Sequence, residues 1–162
     1  MSQENVVVID AVLLDKTSSA ARTSARLRRN HNFHPTDDFP SHRLLNAIEP
    51  GSYVAPHRHL DPLKDETMLL LRGRLGLVVF DDVGTVLHVI VLSMAGGQYG
   101  VDIPHGCWHS VLALEPNTVF FEAKAGPYVP LIAEERATWA PLEDDVSAPA
   151  YQAQLCALFG DD

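Results

Sequence analysis

From Arg43 onward the chain is cut into short apolar pieces, and that rhythm constrains its fold more than any other feature. Leu44–Ile48, Tyr53–His57, Thr67–Leu71, Leu75–Phe80, Val86–Leu92, Gly97–Ile103, Trp108–Ala113 and Val119–Ala123 are each too short for a stable helix, and Gly, Pro, Asp or Asn bounds them. Segments of this length at this spacing predict an all-β sandwich or barrel. Within the run "FDDVGTV", Asp82 and Gly84 supply residues suited to the unusual backbone angles of a hairpin turn. With 162 residues, 46% of them apolar, the chain can bury a full core but has no room for a second domain.

The flanks read differently. Val6–Leu14 is expected as a strand and Ser18–Arg29 as a helix capped by Thr17 or Ser18, followed by a Pro- and Asp-rich loop, "HNFHPTDDFPSH". The last forty or so residues read as a loop and then a short helix, Ala150–Phe159. The division is therefore 1–41 as strand, helix and loop packed on the barrel, 42–128 as the barrel, and 129–162 as a C-terminal extension. Arg22, Arg26, Arg28 and Arg29 fit a solvated helix face.

Composition removes several function classes. A net charge of −9 lacks the basic face that a nucleic-acid partner requires. Neither a leader-like start nor an apolar run near the ~18 residues of a membrane span is found, so a soluble cytoplasmic protein is expected. Two cysteines far apart, Cys107 and Cys156, suggest neither a disulfide framework nor a thiolate zinc site.

The chemistry concentrates in two stretches. In "GSYVAPHRHLDPLKDETMLLLRG" (51–73), His57 and His59 share one face of an extended strand with Cα atoms about 6.8 Å apart, while Arg58 points away. Two neutral imidazoles so placed can grip one metal ion. In "VDIPHGCWHS" (101–110), Pro104 and Gly106 make a turn that feeds a strand carrying His109. Three histidines plus Glu66 would form a nitrogen and oxygen donor set suited to one divalent transition metal: Zn, Fe, Mn, Ni or Co. Asp61 is the substitute carboxylate. His31, His42 and His88 read as ordinary polar residues.

Around that set, Lys64 either holds an anionic group of a ligand or pairs with Asp61 or Asp65. His34 is a candidate acid/base folded over the barrel mouth, and His105 a candidate pocket residue or a solvent-facing turn position. Tyr53 and Tyr99 have the parity of inward residues with a polar tip, which core packing explains equally well.

These two stretches resemble the paired motifs of the cupin superfamily, G-x5-H-x-H-x3,4-E-x6-G and G-x5-P-x-G-x2-H-x3-N. Gly51, His57, His59, Glu66 and Gly73 match the first, and Pro104, Gly106 and His109 the second. Six residues, "LDPLKD", stand between His59 and Glu66 where the motif has three or four, Ala113 replaces the usual Asn, and Gly97 lies one residue too early. Over roughly residues 10–142 the chain also resembles WbuC-type cupin-fold metalloproteins of bacterial surface-polysaccharide gene clusters, through "RLRRNHNFH", "PHRH", "KDE", "LRGRL", "PHGCWHS" and "ATWAP".

The resemblance implies a mainly β, jelly-roll cupin barrel, a mononuclear metal site at His57, His59, Glu66 and His109, and a small-molecule substrate or ligand, carbohydrate among the possibilities. Cupins commonly pair through edge strands, and Val6–Leu13 is the expected contribution to a homodimer. Three readings follow: a metal-dependent isomerase, hydrolase or dioxygenase; a non-catalytic binding or sensing module; and a metal-independent cupin of the sugar-epimerase kind.

Overall fold

The structure is a computed structural model that describes residues 6–160. Eight strands form two antiparallel sheets: β1 (Arg28–Asn32), β2 (Ser41–Ile48), β3 (Glu66–Arg72), β4 (Arg74–Phe80), β5 (Val86–Ser93), β6 (Gly100–Ile103), β7 (Trp108–Ala113) and β8 (Thr118–Ala125). One sheet has the order β1-β2-β8-β3-β6 and the other β5-β4-β7. Alternation along the strands explains the layering. Leu75 and Leu77 of β4 face inward with Val111 and Ala113 of β7, meeting Ile48, Met68, Leu70 and Phe120 from the larger sheet. Val78, Phe80, Trp108 and Leu112 face outward, where Ala137, Ala148 and Leu155 of the C-terminal segment cover them. Ala21 of the N-terminal helix buries Leu45, Ala47 and Val119 on the opposite outer face. Because both of its own faces are covered, β7 is buried along its whole length, whereas β5 at the sheet's edge is largely exposed.

The barrel strands stand where the apolar rhythm places them, with one exception. Tyr53–His57 forms no strand; only His57 makes isolated bridges, to His109 and to Arg136. The flanks need correction. Val6–Asp10 has no regular structure, and α1 runs over Ala11–Arg22. The Asp10 carboxylate accepts a hydrogen bond from Leu13 N at 3.0 Å, and this cap starts a helix where β-branched residues suggested a strand. The chain then turns through Leu27 at φ 53°, and Arg28 and Arg29 enter β1 instead of extending the helix. The arginines are accordingly no single helix face: Arg26 and Arg28 both grip Glu143 of the C-terminal segment. The C-terminal helix, α2, spans Ala148–Ala157.

At the hairpin, the Asp81 carboxylate accepts from Val83 N and Thr85 N while Gly84 alone takes a positive φ, 88°. Asp82 instead receives hydrogen bonds from Trp108 and Arg58. Among the described residues no helix is long and apolar enough to cross a membrane.

Candidate metal centre

The site is assembled by main chain first. His57 and His109 exchange both N–H···O bonds, at 3.1 and 2.9 Å, which puts their side chains on the same side of the pair. Their ring centroids are 4.5 Å apart. Each ring is fixed through its Nδ1, which lies 3.0 Å from a carbonyl: Ala55 O for His57 and Cys107 O for His109. A donated Nδ1–H leaves each Nε2 with a lone pair aimed inward.

Glu66 arrives from the opposite sheet as the first residue of β3, 2% exposed. The lengthened "LDPLKD" segment does not displace it. Residues 61–64 close a turn in which Asp61 accepts from Leu63 N and Lys64 N, and the chain returns Glu66 to the interior. Asp61 is thereby spent on the turn.

His57, Glu66 and His109 each offer one ligand atom, and all three atoms lie within 4.8 Å of one another. His59 stands outside that tightest group, but its Nε2 reaches Glu66 Oε1 at 3.2 Å, while His109 Nε2 is 3.1 Å from Glu66 Oε2. Despite these short contacts, His59 Nε2, His109 Nε2 and Glu66 Oε2 are buried without a hydrogen bond. Buried polar atoms ordinarily find partners, so two orphaned imidazole nitrogens set against one buried carboxylate are the arrangement a shared cation resolves.

The electrostatics agree. Burial, with the neighbouring His109, pushes the pKa of His57 down to about 3, so its ring is neutral and able to donate a lone pair. Burial alone would raise the Glu66 carboxyl, yet contacts from His109, His59 and Lys124 hold it well below the usual carboxylate range. Lys124 Nζ lies 2.8 Å from Glu66 Oε1 and 2.7 Å from Glu122 Oε1. Burial opposes its charge, but the two carboxylates outweigh burial and raise its pKa.

A cavity of about 170 Å³ opens behind the group, lined by His57, Glu66 and His109, by the polar side chains of Arg28, Asn30, Asn46, Glu122 and Lys124, and by apolar residues including Met68, Val111 and Phe120. A second depression, about 210 Å³, lies toward His42, His59, Lys64, Lys124 and Tyr128.

The remaining candidates are dispersed. Lys64 is nearly buried at that second depression, with Nζ donating to Pro127 O rather than to Asp61 or Asp65. His34 does not fold over the mouth: its Nδ1 meets the Arg43 main chain and its ring stacks on His42 at 3.9 Å. His105 pairs with Asp65 at 2.9 Å in an exposed turn. Tyr53 is buried in the outer cluster beneath α2, its hydroxyl donating to Pro141 O. Tyr99 is 55% exposed, in a shallow groove with Leu69 and Ile90.

Sequence reasoning missed Glu122, Lys124 and Asn46. The signal was present: two charges at i and i+2 of an apolar strand, "VFFEAKA", share the face of Phe120 and so point into the barrel.

A family described as "Domain of unknown function (DUF6016)" matches residues 9–92, just over half of the chain. The chain belongs to that family. Against curated proteins, this DUF6016 member has no sequence match. Its backbone resembles a cupin superfamily protein from Desulfitobacterium hafniense (TM-score 0.51, 13% identity, covering 77% of this chain and 94% of that one). It also resembles KdgF from Halomonas sp. (0.50, 17%, 66% and 85%) and a conserved protein of unknown function from Streptococcus pyogenes (0.51, 10%, 80% and 95%). At such identities the likeness establishes the fold, a cupin jelly roll.

Proposed function

We propose that this chain is a cupin-fold metalloprotein in which His57, His59, Glu66 and His109 hold one divalent transition ion, and that it acts on or binds a small molecule at that ion. The observation carrying this reading is that His57, Glu66 and His109 bring ligand atoms within 4.8 Å of one another, while Glu66 Oε2, His109 Nε2 and the adjacent His59 Nε2 are buried without a hydrogen bond. Bound there, the metal supplies Lewis acidity toward a ligand oxygen, or redox chemistry if it is iron or manganese. The protein fixes the imidazole tautomers through Ala55 O and Cys107 O, keeps Glu66 ionised through Lys124, and encloses the ligand in the adjoining cavity. The stretches shared with WbuC-type proteins favour a carbohydrate linked to surface-polysaccharide metabolism, handled in the cytoplasm.

The decisive experiment is elemental analysis of the untagged protein beside the His57→Ala/His59→Ala double variant. About one equivalent of metal in the parent and none in the variant is expected; a parent that stays empty when metal is offered sinks the reading. It would then favour the metal-free sugar-epimerase or plain binding-module alternatives.

We also infer a homodimer. Val6–Leu13 is not the pairing strand, since Ala11–Leu13 is helical. β5 and β1, at the ends of their sheets, offer unpaired main-chain groups to a second copy. Light scattering should give twice 17.8 kDa, and a clean monomer overturns this inference.

A further inference from the structure

Glu122 is not needed to hold a metal, yet it is built into the same chamber with care. It is 6% exposed and opposes Leu44 on β2 and Met68 on β3, so its carboxylate rises from the middle of the inner face of the larger sheet. Asn46 Nδ2 donates to Oε2 at 2.6 Å and fixes the plane of the group. Oε1 has Lys124 Nζ 2.7 Å away but accepts no hydrogen bond of good geometry. A carboxylate oxygen buried in this state costs free energy until a donor reaches it.

The charge of the chamber narrows the donor's identity. Glu66 and Glu122 against Lys124 leave a single negative charge, and the Arg28 guanidinium is committed to Glu143, Ser52 and the Tyr53 carbonyl. A divalent ion reverses that sign, and in a chamber walled off from bulk solvent the resulting positive charge draws a monoanion. Lys124 Nζ donates a hydrogen bond to Glu66 Oε1 and meets Glu122 as an ion-pair partner without a hydrogen bond, so of its three N–H donors others remain for a ligand oxygen. The cavity, about 170 Å³, is smaller than the ~300–1,000 Å³ pockets that hold drug-sized ligands.

Resting on the metal-centre reading, we propose that Glu122, oriented by Asn46, is the specificity-determining residue of the chamber and accepts a hydroxyl hydrogen bond from a small hydroxycarboxylate whose carboxylate lies toward Lys124 and the histidine cluster. Such a ligand supplies the missing donor at Oε1 and the missing negative charge at the other end.

Calorimetric titration of the full, metal-loaded chain with glycerate and lactate tests this, because the two probes chelate a metal alike and differ only in a terminal hydroxyl. The parent should bind glycerate roughly tenfold or more tightly than lactate, the scale of one hydrogen bond to a charged acceptor. Glu122→Met, which removes the acceptor, should bring the two within about twofold of each other at retained metal content; the negative charge lost with Glu122 acts on both monoanions alike, so the ratio of their affinities is what is read. Glu122→Gln, which keeps shape and a weaker acceptor, should give an intermediate preference and decides the matter if the Met variant does not fold. A metal-replete parent without preference, or variants that keep the parent's preference, overturns the role of Glu122 alone. A parent empty of metal overturns both readings.

Discussion

The two imidazoles that bracket the site are useful because of where each places its proton. Nδ1 of His109 is tied to Cys107 O and Nδ1 of His57 to Ala55 O, so with Nδ1–H donated both Nε2 atoms present lone pairs that a cation can take. His109→Ala should therefore lose stoichiometric metal while the far-UV circular dichroism stays that of the parent, because the apolar core between the sheets is independent of the ring. The same burial sets a pH dependence. His57 has a folded pKa of about 3, below the ~6.5 of a free imidazole, so between these values the unfolded chain binds a proton that the folded chain refuses. Stability of the metal-stripped protein should be unaffected by this group above pH ~6.5 and fall as pH drops toward about 3. Glu66, depressed in the fold, adds loss of the same sign at the acidic end. Urea midpoints of the stripped protein, measured from neutral to mildly acidic pH, should decline steadily; a flat profile would mean that His57 is solvated.

At the level of elements, the glycine of the first motif is explained by a corner. Gly73 joins β3 to β4, where the chain leaves one sheet for the other, at φ +80°, and a Cβ there would stand 2.3 Å from Thr118 Oγ1 and 2.8 Å from Thr118 Cα. Thr118 is fully buried, and its hydroxyl bonds to the carbonyls of Arg74 and Glu115, so it cannot yield. Gly73→Ala should cost at least ~1–3 kcal/mol, read as a lowered urea midpoint with an unchanged slope. This corner and the barrel strands were legible in the sequence because period-two apolar segments and turn residues are local signals. The N-terminal helix was expected, but its start was not legible, because "VVVIDAVLL" offers β-branched residues while the deciding interaction is one side-chain cap at Asp10. In the site, the histidines and Glu66 could be found from their spacing. Glu122, Lys124 and Asn46 could not be ranked, since their proximity to the histidines depends on which strands become neighbours across the sheet, a non-local fact.

At the level of the whole molecule, the C-terminal segment is a layer of the fold rather than an appendage. It crosses the site edge, with Arg58 N bonded to Glu135 O and Ala137 N to Pro56 O, and then lays α2 on the outer face of the smaller sheet. Gly76 has no side chain because the Phe159 ring occupies that space; a Cβ would lie 2.5 Å from it. Leu155 is 3% exposed over Val78 and Leu112, which are themselves fully buried. Leu155→Ala should thus destabilise by ~2–5 kcal/mol. Deleting the chain beyond residue 146 removes Leu155, Ala148 and Phe159 together, several times the ~1.5–3 kcal/mol of one buried side chain, against a total stability of only ~5–15 kcal/mol. The truncated protein should bind a hydrophobic dye and lose its cooperative thermal transition, and Leu155→Ala should melt well below the parent while still unfolding in one step. Were the truncation to melt as cooperatively as the parent, the smaller sheet would not need its outer cover, and the barrel strands alone would form the stable core.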